Sequence, residues 1–201
     1  MQKLGFNIVL LGTITSGKET QANILKKKYS LKFVETGVYS RKLTKAKGSD
    51  GDLARRTTGK GGPLAVSLLK KFLLREINNK PKNKNLLFLG GPRLKPEAQL
   101  LKKILNEQKE DFIVFYITLP NKEIFKRSIK RNESNVKKIY KMLDEEKIVK
   151  TRIKWHRTQV SKTVKYFEGL KKLKKINGNQ PISKVTKDIL KEIEAYKNKK
   201  D

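Results

Sequence analysis

The chain has no cysteine, which excludes a disulfide framework and a thiolate metal site. It has one histidine and one tryptophan, the adjacent pair Trp155-His156, and the histidine reads as structural or exposed rather than catalytic. Acidic residues are scarce: 19 Asp and Glu stand against 49 Lys and Arg, a formal charge of +30. Apolar residues make up 36% of 201 positions, enough for a core only if they gather in strands and amphipathic helices. No apolar run approaches the ~18 residues needed to span a bilayer. The stretch Ile8 to Leu11 is too short for a signal-peptide core and runs straight into a Gly-rich turn. A cytoplasmic protein without a membrane partner is expected, and the length suits one domain with small insertions.

What is abundant is positive charge. Such a field attracts phosphates of every kind, including nucleotides, RNA and anionic lipid. The lysines are spread along the chain rather than gathered in a terminal arm. A solvated cationic surface and an RNA-contacting surface therefore both remain open readings.

Five short apolar runs read as strands: Ile8–Leu11, Leu31–Val34, Leu86–Leu89, Ile113–Thr118 and Leu173–Ile176. Helical spacing lies between them. Ala22, Leu25 and Tyr29 share one face; so do Leu64, Leu68, Phe72 and Ile77, with Pro63 near the start. Ala98, Leu101, Ile104 and Leu105 mark a third helix, and Ile124, Phe125 and Ile129 a fourth. Val136 to Phe167 is predicted to hold one or two long helices, and Val185, Ile189, Leu190 and Ile193 mark the last. Alternating strands and helices predict an α/β fold with a parallel sheet and right-handed crossovers, and ligands at the carboxyl ends of its strands. The polar, Gly-rich stretch Lys47–Gly62 reads as a mobile loop or small insertion.

Gly12-Thr13-Ile14-Thr15-Ser16-Gly17-Lys18 follows the first strand and opens the first helix, the context a phosphate-binding loop requires. The glycines let backbone approach phosphate, the N–H groups converge at a helix N-terminus, and Lys18 is a flexible cation that reaches the terminal phosphates. The strict motif ends in Ser or Thr. Here Glu19 follows the lysine, and the hydroxyl comes one residue later, at Thr20.

Gly17-Lys18-Glu19-Thr20-Gln21 resembles the loop of the adenylate kinases, with Glu19 and Thr15 where that family usually has glycine. Downstream segments appear in the family's order. Thr36-Gly37-Val38-Tyr39-Ser40-Arg41 resembles its monophosphate-holding segment, and Gly59-Lys60-Gly61-Gly62-Pro63 the segment that passes the monophosphate base. Gly90-Gly91-Pro92-Arg93 resembles the element whose arginine clamps the monophosphate. Arg127 and Arg131 resemble the pair at the start of the lid, and Arg152 the arginine after it. Lys141 stands where the family has a further arginine, and Asp144 resembles a lid acid. Ile176-Asn177-Gly178 resembles the turn near the ATP adenine.

The resemblance implies a P-loop kinase: a central five-stranded parallel sheet flanked by helices, forming one domain over 1–201. It implies a monophosphate-binding insertion near 38–80 and a short lid near 131–145. The implied substrates are ATP and AMP, with phosphoryl transfer between them, Mg2+ bound with the ATP, and a monomeric state. It places ATP on Gly12, Thr15, Ser16, Gly17, Lys18, Glu19, Thr20, Arg127, Arg131 and Gly178. It places AMP on Thr36, Arg41, Gly62, Gly90, Arg93, Glu97 and Arg152. The transfer itself would fall to Lys18, Arg93, Arg131, Lys141 and Arg152, with Thr20 on the metal through water. The chain departs from the family in lacking acids at Val38 and Leu89, where carboxylates organise magnesium, and in carrying Glu97 in place of a glutamine near the acceptor base. Weak catalysis, or a noncatalytic nucleotide-binding protein that contacts RNA or a ribonucleoprotein, is the alternative those departures leave open.

Overall fold

A computed structural model describes residues 1–60, 63–133 and 145–198. Its centre is a five-stranded parallel sheet in the order β2-β3-β1-β4-β5. The strands are β1 Asn7–Gly12, β2 Leu31–Val34, β3 Asn85–Leu89, β4 Phe112–Thr118 and β5 Leu173–Asn177, each within a residue or so of its apolar run. β1 pairs with β3 on one side and β4 on the other. Its side chains are buried on both faces, as a central strand covered by two helix layers must be.

Alternate residues of these strands feed two separate cores. Val9, Leu11, Leu86, Phe88 and Val114 face one, with Leu68, Phe72, Leu101 and Phe167. Ile8, Leu10, Leu87, Leu89 and Phe115 face the other, with Ala22, Leu25, Ile189 and Ile193. Among the described residues the helices are α1 Lys18–Lys28, α2 Thr36–Leu43, α3 Ser49–Arg56, α4 Val66–Asn78, α5 Lys95–Glu107, α6 Asn121–Glu133, α7 Glu146–Trp155, α8 Ser161–Gly169 and α9 Ile182–Lys197. None of them is long and apolar enough to cross a membrane.

One expectation changes. Most of Lys47–Gly62 is helical: it holds α3 and a 3-10 turn at Thr58–Lys60. The stretch buries little beyond Gly51 and Ala54, so apolar periodicity had almost nothing to report. Its charge pattern is the signal that was there, with Asp50 and Asp52 in the first turn of α3 and Arg55 and Arg56 in the last. That arrangement complements the helix dipole at both ends. Of the one or two long helices predicted over Val136–Phe167, the part from 146 onward holds α7 and α8, joined by a π-helical turn at His156–Val160. Residues 136–144 of that prediction lie outside the described residues.

Candidate phosphate-transfer site

β1 delivers the chain to the phosphate loop at Gly12. A Cβ there would stand 2.7 Å from the Ile117 carbonyl and 2.5 Å from the Ser16 hydroxyl, so no larger residue fits without displacing β4. The Thr13 N–H donates to the same Ile117 carbonyl at 3.0 Å and pins the loop to the sheet. Gly17 caps α1 at φ 84°. Thr15 takes φ 55°, a left-handed conformation that costs a β-branched residue about 1–2 kcal/mol. Its hydroxyl donates to the Ile14 carbonyl at 2.7 Å. The Ser16 hydroxyl is buried inside the loop with no partner among the described residues. Glu19 and Thr20 are exposed on the first turn of α1.

Lys18 folds back over the loop, and its Nζ donates to the Thr13 carbonyl at 3.2 Å. Burial lowers its pKa from 10.5 to about 8. Arg93 adds to the depression, Glu19 opposes it, and Arg152 and Arg131 reinforce it. Cations from four places in the chain thus act on one another here: Lys18 opens α1, Arg93 follows β3, Arg131 lies in the last turn of α6 and Arg152 belongs to α7.

Arg93 is held from several sides. Its Nε donates to the Gly90 carbonyl at 2.7 Å, and Gly90 itself turns at φ 74°. Its main-chain carbonyl accepts from the buried Thr163 hydroxyl of α8 at 2.9 Å. Its pKa is lowered first by desolvation, opposed by Glu97, and lowered further by Arg41 of α2, so Arg41 shares this cleft. Thr36, which opens α2, lies against Gly91: a Cβ on that glycine would be 3.4 Å from the Thr36 hydroxyl. On the other flank, a Cβ on Gly178 would be 2.8 Å from the Thr118 carbonyl, so the turn after β5 must be glycine to lie this close to β4.

The structure gives several residues singled out in the sequence the following surroundings. The Glu97 Oε2 accepts the Arg93 N–H at 2.7 Å and the Leu94 N–H at 3.2 Å, so the carboxylate folds back over the start of α5. Arg127 directs its donors to the Glu123 carboxylate at 2.7 Å and the Gly178 carbonyl at 3.1 Å, bracing the Gly178 turn. Leu89 ends β3 as predicted but is buried in the α1-side core. Gly62, Lys141 and Asp144 lie outside the described residues. His156 was missed: it stacks on Tyr116 of β4, centroids 5.9 Å apart, at the edge of the phosphate loop. A lone histidine in a lysine-rich chain gives no periodic signal.

Among the described residues no cluster of three or more His, Asp or Glu is arranged to hold a metal ion. With valine at 38 and leucine at 89, the hydroxyl of Thr20 is the one protein donor that the sequence assigns to magnesium. These residues do not form a metal site of their own. What the arrangement can do is hold polyphosphate: backbone N–H groups and hydroxyls in the loop, surrounded by a lysine and planar guanidinium forks.

The family model described as adenylate kinase matches residues 10–172. An adenylate kinase of Parabacteroides distasonis is 33% identical over 122 residues, covering 60% of this chain and 64% of that protein. One from Buchnera aphidicola subsp. Baizongia pistaciae is 34% identical over 121 residues, covering 60% and 55%. One from Methanothrix thermoacetophila is 31% identical over 122 residues, covering 60% and 57%. The matched stretch therefore spans less than two thirds of the length of these relatives.

Proposed function

Because the chain belongs to the adenylate kinase family, we propose that it transfers the γ-phosphoryl group of ATP to AMP. The observation that carries this reading is the convergence of Lys18 with Arg93, Arg131 and Arg152 at the head of α1. Phosphoryl transfer asks little covalent chemistry of a protein; it needs two phosphates in line and the charge on the equatorial oxygens neutralised. In this reading the triphosphate lies across the loop, accepting from the α1 N-terminal N–H groups and the unpartnered Ser16 hydroxyl. Lys18 leaves the Thr13 carbonyl for the terminal phosphates. Arg93 and Arg41 hold the monophosphate, with Thr36 at the base of its site. Arg131 and Arg152 bridge the two phosphates as the group moves. The attacking group is an ionised phosphate oxygen, so no general base and no covalent intermediate are required. Magnesium, when bound, would add further charge neutralisation on the phosphate oxygens, and Thr20 is the side chain that would touch its water shell.

The test is direct. Purified protein is incubated with magnesium, ATP and each nucleoside monophosphate, and the products are separated by chromatography. Paired appearance of ADP from ATP and AMP supports the assignment. Binding of ATP with no diphosphate from any monophosphate would sink it and leave a nucleotide-binding protein. The formal charge of +30 favours a second reading, contact with RNA. Filter binding across a salt series checks it: affinity should fall steeply with salt through counterion release and should survive Lys18→Met.

A further inference from the structure

Parallel strands all begin at one end of their sheet, so the connections that lead into them gather on one face, opposite the strand ends that carry the phosphate loop. In this chain a lysine precedes every strand on that face: Lys28 before β2, Lys82 before β3, Lys3 before β1, Lys109 before β4 and Lys171 before β5. In the order β2-β3-β1-β4-β5 they form a row about 19 Å long, at about 4.8 Å per strand. All five are exposed. Acids of this end are already taken: Glu110 pairs with Lys80, Asp111 with Lys172 and Glu194 with Lys197. Among the described residues, Lys3, Lys82, Lys109 and Lys171 stand in no ion pair.

The row rests on a stitched platform that the phosphate-transfer reading leaves unused. Buried Asn7 donates its side-chain amide to the Glu110 carboxylate at 3.0 Å and the Asp111 carbonyl at 3.2 Å, and its side-chain oxygen accepts the Leu86 N–H at 2.8 Å. Buried Asn85 accepts the N–H groups of Leu4 at 2.9 Å and Gly5 at 3.2 Å. The Ser30 N–H donates to the Gln2 carbonyl and the Val114 N–H to the Lys172 carbonyl, which joins the outer connections. Lys3, Lys80 and Lys82 surround one concavity of about 570 Å3 with the side-chain amides of Asn78 and Gln108. Lys109 and Lys171 share a further feature. Each stands just past a helix, α5 or α8, in the left-handed region at φ 53° and φ 55°. The next N–H in each case reaches back into the last turn, Glu110 to the Leu105 carbonyl at 2.8 Å and Lys172 to the Phe167 carbonyl at 3.1 Å. Glycine is the usual residue at this position, and a longer side chain is held there at a cost. The same uncommon choice at two neighbouring helix ends points to a use for the side chains.

We propose that this face, at the amino ends of the strands, binds the sugar–phosphate backbone of RNA, with the lysine row lying along its phosphates. The inference rests on the RNA reading above and gives that contact a place remote from the nucleotide cleft. A single phosphate or nucleotide would meet only part of the row, whereas a polymer of phosphates meets all of it. A membrane surface fits less well: of the large apolar side chains exposed among the described residues, only Met1 lies in these lead-in segments, so the face offers little to insert among acyl chains.

The experiment measures binding of a fluorescein-labelled oligouridylate of about 12 nucleotides by anisotropy, between about 50 and about 200 mM salt. It compares the native protein with Lys3→Gln/Lys82→Gln/Lys109→Gln/Lys171→Gln and with Lys70→Gln/Lys122→Gln/Lys165→Gln/Lys187→Gln, which removes the same charge from exposed helix positions. The face variant should lose at least about tenfold in affinity. Its slope of log affinity against log salt should be shallower by about 2.8, at about 0.7 for each lysine on a single strand. The helix variant should keep most of both. Lys109→Gly/Lys171→Gly places glycine at the two left-handed positions, so it should melt no lower than the native protein while its salt slope still falls by about 1.4, which separates lost contacts from lost folding. Equal losses in the two glutamine variants would overturn the assignment to this face and leave the RNA reading resting on diffuse charge. No binding by the native protein at about 50 mM salt would defeat the RNA reading itself, and the proposal with it. Binding of phosphatidylserine vesicles without binding of the oligonucleotide would overturn RNA as the partner.

Discussion

Replacing Lys18 with methionine should make the protein more stable as it makes it inactive. The lysine sits charged among three arginines, and its pKa has fallen from 10.5 to about 8 through burial and their proximity. At about 1.36 kcal/mol per pH unit, that interval sets an upper limit of about 3.4 kcal/mol on what the folded state loses by keeping the proton. Methionine retains the unbranched stem and its packing and removes the charge. For a chain of this size 1 kcal/mol moves Tm by roughly 2–4 °C, so a rise of several degrees is expected at pH 7 in nucleotide-free buffer. The pH dependence has a definite sign. Below about pH 8 the lysine is charged in both states and the penalty is complete. Between about 8 and 10.5 the folded protein releases its proton while the unfolded chain keeps it, so the native protein gains stability as pH rises. Above 10.5 the advantage of the methionine variant should be gone. Calorimetry from about pH 6 to about pH 11 reads this directly, and added ATP should stabilise the native protein more than the variant. A Lys18→Met protein that melts at or below the native Tm at pH 7 would refute the claim that this charge is held against the fold.

Arg93→Ala should raise the monophosphate KM by roughly 10–100-fold, the equivalent of losing charge-assisted hydrogen bonds worth about 1.5–3 kcal/mol, while a fluorescent ATP analogue still binds; steady-state kinetics beside a fluorescence titration would show the split. Leu89→Asp should lower Tm by several degrees, because the side chain is only 8% exposed and a buried carboxylate is costly. In a thermal shift assay, magnesium with ATP should then recover more stability in that variant than in the native protein. Glu97→Ala should destabilise α5 by about 1 kcal/mol, the usual worth of a lost cap, as seen in urea denaturation, and should leave the ranking of AMP, CMP, GMP and UMP unchanged.

The strands and the phosphate loop were legible because their signals are local. Short apolar runs mark β1 to β5, and glycines at the junction of a strand and a helix mark the loop. The partners of each arginine were not legible. Spacing places Arg127 and Arg131 on one helical face, yet only the fold puts the Gly178 carbonyl beside Arg127 and brings Arg131 near enough to add to the lowering of the Lys18 pKa. The partners of Glu97 were hidden for a similar reason: only the fold brings the N–H groups of Arg93 and Leu94 onto its carboxylate. Thr163 carries no sequence signal at all. Its hydroxyl reaches the Arg93 carbonyl across 70 residues of chain, a contact created by tertiary packing alone.

The sheet that divides the interior also divides the consequences of mutation. Residues alternating along one strand report to different cores: Val9 and Leu11 to the layer under α4, α5 and α8, Ile8 and Leu10 to the layer under α1 and α9. The elements that the proposed reading assigns to the acceptor, α2 to α4, pack on the first layer, and α9 on the second. A lineage can therefore redraw its acceptor pocket on one side while drift on the other repairs the stability lost, because distant sites that share no partners combine nearly independently. A parallel sheet buried on both faces is in this sense two records of variation bound in one chain, and a family built on it can change what it recognises without first rebuilding what holds it together.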